Sequence, residues 1–71
     1  MSTGQRLKLY LKEKGISQSF VAKQLGMNIK GFNAVLNGHA RLKADTLEKV
    51  CELIGSTPGD FFTYNFQENG K

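Results

Sequence analysis

Four glycines set narrow limits on what this chain can fold into. Gly15, Gly26, Gly38 and Gly55 each close a helix-length stretch in which apolar residues recur three and four apart. Glycine is favoured just past a helix C-terminus because it enters the left-handed backbone region without steric cost. The pattern predicts short helices joined by tight turns, and an all-α fold class. Leu7, Tyr10 and Leu11 mark the inner face of a first helix between Met1 and Lys14. Ser17 is placed to cap a second helix, about two turns long, that buries Val21, Ala22 and Leu25. Asn28 opens a third, with Phe32, Val35 and Leu36 on one face and Asn37-Gly38 at its close. After a loop from His39 to Lys43, a fourth helix carries Asp45 in its first turn and Leu47, Val50, Cys51 and Ile54 inward. Thr57-Pro58-Gly59-Asp60 then offers a capping residue, a proline at the first helical position and an acid at the third. A short fifth helix including Phe61 and Phe62 should follow.

At 71 residues the chain allows one small domain. No apolar run is longer than three residues, which excludes a membrane span. Cys51 has no second cysteine to pair with, and with His39 as the one histidine it cannot build a zinc site. A free thiol and no export signal point to a reducing, cytoplasmic compartment. Stability must then come from packing, helped by dimerisation. The positive charge is gathered at one end. Residues 1–43 hold eight basic groups and one acid, net +7, while residues 44–71 hold two bases and five acids, net −3. That is the electrostatic outline of a polyanion binder, although a solvated basic face would look the same. Paired carboxylates, phosphate-cradling glycine loops and catalytic triads are all missing from the spacing. The expectation is a protein that is not an enzyme, with no cofactor, no metal and no small-molecule ligand.

Two short helices joined by a tight glycine turn are the skeleton of a helix-turn-helix. Ala22 is small, as a close helix crossing requires; Gly26 supplies the turn; Met27 plugs it; Phe32 and Val35 anchor the third helix. The run from Gln18 to Asn28, followed by Phe32, Val35 and Asn37-Gly38, resembles the lambda-repressor/Cro/Xre-type helix-turn-helix family. Thr46-Leu47, Val50-Cys51, Ile54-Gly55 and Asp60-Phe61-Phe62 continue the likeness, which spans Arg6 to Phe62. The resemblance implies a compact five-helix bundle that lays its third helix in the major groove of double-stranded DNA. It also implies a homodimer on a near-palindromic operator and a bacterial or phage transcriptional regulator, in most cases a repressor, on the nucleoid. Two departures stand out. Relatives often pair an arginine at the position of Leu11 with a glutamate at that of Leu36; here both are leucine, which reads as a core variation. Gly31 stands inside the third helix, where relatives normally carry a side chain.

With about 100° between successive residues, Lys30 and Ala34 point away from the face formed by Phe32, Val35 and Leu36. Asn33 lies on its flank and Ile29 at its edge. Lys30 suits guanine O6 and N7 or a phosphate, and Asn33 matches adenine N6 and N7. Ala34 suits a thymine methyl; Ile29 is equally well read as that contact or as a core-edge residue. Phosphate contacts are expected from Gln18 at the start of the second helix, from Asn28, Asn37, Arg41 and Lys43. Asn28 is in the first place a helix cap. Lys8, Lys12 and Lys14 read as a solvated face, and so would Lys30 and Asn33 in a protein that does not bind DNA.

Residues 1–62 are thus expected to form the DNA-binding domain and residues 63–71 a tail. From Phe62 to Gln67 apolar and polar residues alternate, which suits a short strand pairing with its copy in a second chain. The alternative is a tail whose aromatics fold back on their own domain. A rival function is a protein-interaction module, such as an antitoxin or adaptor with weak DNA binding.

Overall fold

The computed structural model describes residues 2–62. They form α1 (Thr3–Glu13), α2 (Gln18–Leu25), α3 (Ile29–Leu36), α4 (Ala44–Ile54) and α5 (Pro58–Phe62). The all-α, five-helix expectation is met, and no strand occurs among the described residues. The strand expected after Phe62 lies outside them. No described helix is long and apolar enough to cross a membrane.

Helix ends follow from local chemistry. The chain enters α1 later than Met1, because Ser2 is the cap. Its hydroxyl accepts the Gln5 amide at 3.1 Å while the Gln5 side chain accepts the Ser2 amide at 2.8 Å, a closed capping box. Ser17 and Asn28 cap α2 and α3 as expected. All four punctuating glycines have positive φ. At the start of α5 the Asp60 carboxylate accepts the Thr57 amide at 2.8 Å.

The core forms where α1 lies on α3, α2 on α3 and α4, and α5 on α1 and α4. Leu7, Leu11, Val21, Phe32, Leu36 and Val50 are fully buried in it. Each such side chain contributes about 2 kcal/mol through the apolar surface it removes from water. Ile16, Leu25, Met27, Leu42 and Leu47 close its rim. Tyr10 packs in the core and its hydroxyl meets the Ser56 hydroxyl at 3.0 Å, tying α1 to the turn before α5.

Two glycines inside helices behave oppositely. Gly4 is buried, and a Cβ built there would overlap the Val35 carbonyl, so α1 and α3 approach backbone to backbone. Gly31 faces open space. Alanine at 31 adds helix propensity without a clash, so Gly31→Ala should stabilise the domain by up to about 1 kcal/mol. A higher midpoint in thermal denaturation checks this; a lower one means that the Gly31 site is more crowded than it stands here.

Candidate nucleic-acid interface

The α2–turn–α3 unit is held by local backbone geometry and hydrogen bonds. Gly26 takes φ +71°, where a side chain would be strained. The Met27 amide donates to the Ala22 carbonyl at 2.9 Å, and the Asn28 side chain accepts the Lys30 amide at 2.8 Å. Ala22, 1% exposed, has no room for a larger side chain. Phe32, Val35 and Leu36 fasten α3 from beneath, which fixes what its other face presents.

That face carries Ile29 and Lys30, both exposed, with Asn33 half-buried beside them. Ile29 is 38% exposed, which places it on the outer side of the core edge. Ala34 is half-buried rather than fully open. The His39 and Ala40 amides both donate to the Ala34 carbonyl, at 2.8 and 3.2 Å, closing the end of α3.

Around α3 stand the residues expected to grip phosphates. Gln18 is the first residue of α2, half-buried, at a helix end whose first amides have no intrahelical acceptor. Asn37 ends α3, and Arg41 lies in the loop beyond; both are exposed. Lys43 is the N-cap of α4 and makes no side-chain capping bond there. A cation is unfavourable at a helix N-terminus, so Lys43 weakens α4 locally, whereas a cap such as serine would strengthen it by about 1 kcal/mol.

Lys8 and Lys12 of α1 and Lys14 at its C-cap, read together as a solvated face, are not equivalent. Lys14 sits over the Tyr10 ring, 5.5 Å from its centroid. Lys8 is half-buried and its ammonium donates to Asn37 Oδ1 at 2.6 Å, which corrects its assignment to a solvated face. Lys12 is exposed. Gln5 and Lys8 both reach Asn37 from α1, a pairing that helical periodicity does not show. The Ser2-x-x-Gln5 spacing was a readable capping signal; Lys8, one turn before Leu11, sits where an α1 residue can reach α3.

Cys51 is buried in the core, and burial, reinforced by Asp60, pushes its thiol pKa up, so it stays a thiol and a poor nucleophile. Among the described residues no three metal-ligating side chains cluster.

In comparison with family models, residues 6–67 match that of the Cro/C1-type HTH DNA-binding domain. No match was found among curated proteins or solved structures.

Proposed function

Since the chain belongs to the Cro/C1-type HTH family of DNA-binding domains, we propose that it is a sequence-specific transcriptional repressor. It acts in the cytoplasm, as a homodimer on a near-palindromic operator. The observation that carries the reading is α3 itself. Its inner face is locked in the core, while Ile29, Lys30 and Asn33 look outward between the polar residues of α2 and the loop after α3. In this reading Lys30 and Asn33 read base edges, with Ile29 and Ala34 against thymine methyls. Gln18, Asn28, Asn37, Arg41 and Lys43 hold phosphates on either side.

The two groups of residues should respond differently to substitution. Lys30→Ala or Asn33→Ala is expected to change which sequences are preferred, at a cost of about 1–3 kcal/mol on the original site. Gln18→Ala and Arg41→Ala are expected to weaken binding to all duplexes alike, and Arg41→Ala to flatten the salt slope by about one unit. Binding isotherms on matched and mismatched duplexes at several salt concentrations check both. Equal, sequence-blind losses from all four substitutions would contradict the division of roles.

Residues 1–62 are proposed as the reading head and the alternating tail, residues 63–71, as the contact between two copies. An antiparallel pair of tails is self-complementary about a two-fold axis, matching a palindromic operator. A chain lacking residues 63–71 should sediment as a monomer at micromolar concentration while remaining helical; a dimer of unchanged stability would remove the tail from the interface.

One observation favours a second reading. Phe20 is 51% exposed on α2, an apolar side chain that a protein partner would cover. Retention on random duplex DNA separates the two, because a protein-interaction module would elute at low salt.

A further inference from the structure

We infer that Lys8 is a positioning residue for DNA binding: its ammonium turns the side-chain amide of Asn37 so that the Nδ2 hydrogens face a backbone phosphate. This rests on the reading above, in which Asn37 contacts phosphate.

Asn37 closes α3 and is exposed, yet most of its polar groups are already engaged within the protein. Its amide N–H donates to the Asn33 carbonyl at 2.8 Å. Its carbonyl accepts from Gln5 Nε2 at a long 3.4 Å, and Oδ1 accepts from Lys8 Nζ at 2.6 Å. Both acceptors are therefore turned toward α1. Among the described residues no group takes the two Nδ2 hydrogens, so these are what Asn37 has left to offer.

The orientation follows from the chemistry of the partner. An asparagine amide has two nearly isosteric ends, one accepting and one donating, and without a partner either can face outward. Lysine has three donors and no acceptor, so the end it meets must be the oxygen. A DNA phosphate presents only acceptors, and its complement is a donor. With Lys8 absent, the free protein populates both orientations of the amide, and binding must select the one that donates. Lys8 is itself held in place. It lies one turn from Gly4, where α1 meets the Val35 carbonyl, and one turn from the fully buried Leu11. Lys14, over the Tyr10 ring at the C-cap of α1, carries the same charge away from Asn37 and supplies a control.

The test uses the full chain, isotopically labelled for the Asn37 side-chain amide, and short duplexes of random and of selected sequence. Lys8→Met should shift the Asn37 Nδ2 resonances of the free protein. It should also lower affinity for every duplex by about two- to fourfold, the scale of losing a preference between two amide orientations. Lys8→Arg, which is again donor-only, should restore most of the loss, and Lys14→Met should cost far less than Lys8→Met. In an Asn37→Ala background, Lys8→Met should cause no further loss and leave the salt slope unchanged. A full additional loss in that background would show Lys8 gripping DNA on its own and overturn the inference. So would Asn37 resonances that ignore Lys8→Met. A native chain that binds no duplex would instead remove the DNA reading, and this inference with it.

Discussion

Gly4→Ala is expected to destabilise the domain by about 3 kcal/mol or more, a drop of roughly 12–24 °C in melting temperature for a chain of this size. The reason is local and geometric. A Cβ at residue 4 falls on the Val35 carbonyl, and its next neighbours are the Val35 carbonyl carbon and Cγ1. A flexible side chain could swing aside, but backbone cannot move without shifting α1 against α3. The shift would also pull Gln5 and Lys8 away from Asn37, so the variant should bind DNA less well even below its melting temperature. Circular dichroism during heating measures the first effect. An unchanged melting temperature would mean that the two helices are farther apart than described here. The contrast with Gly31→Ala, expected to stabilise, makes the pair informative: the same substitution in two helices, with opposite signs.

The second large effect concerns Leu11 and Leu36. Both are fully buried in one cluster between α1 and α3. Leu36→Glu alone would place an unpaired carboxylate there, at an expected cost of about 3–5 kcal/mol. Adding Leu11→Arg supplies the opposite charge at the position where relatives often carry it, and should recover more than half of the loss. Urea denaturation of the single and double variants measures the coupling. Additive losses would mean that the two side chains do not face each other. The present leucine pair needs no such compensation, since apolar groups satisfy the site without desolvating any charge.

Much of this architecture was legible in the sequence, for identifiable reasons. Helix ends are written locally: Ser17, Asn28 and Gly26 act on neighbours within a few residues, and each does what its chemistry predicts. The buried faces are legible for the same reason, since a period of about 3.6 residues puts Leu7 with Leu11 and Phe32 with Val35 and Leu36. What the sequence hides is contact between distant segments. Gly4 looks like a weak helix residue until Val35 is seen against it. Lys8 looks solvated until Asn37, 29 residues away, is seen to accept a hydrogen bond from its ammonium. Ala34 looks open on a helical projection but is half-buried in the folded chain. The candidate site divides the same way. The outward direction of Lys30 follows from periodicity, whereas the orientation of the Asn37 amide depends on α1.

The interface also shows a cost to stability. Lys43 occupies a cap position where serine or aspartate would strengthen α4, and Gly31 sits in α3 where alanine would strengthen it. Lys43 is proposed above to hold a phosphate, and residues selected for binding are commonly kept at some expense to the fold.

Selection of bound sequences from a random duplex pool, with the unaltered chain, decides whether the protein reads DNA as a sequence-specific dimer. Such a dimer should enrich one near-palindromic sequence whose half-sites are centred about one helical turn apart, roughly 10 base pairs. Its affinity for that sequence should fall steeply with added salt. A pool that emerges with no enriched sequence, from a protein that low salt already releases from DNA, would contradict that reading.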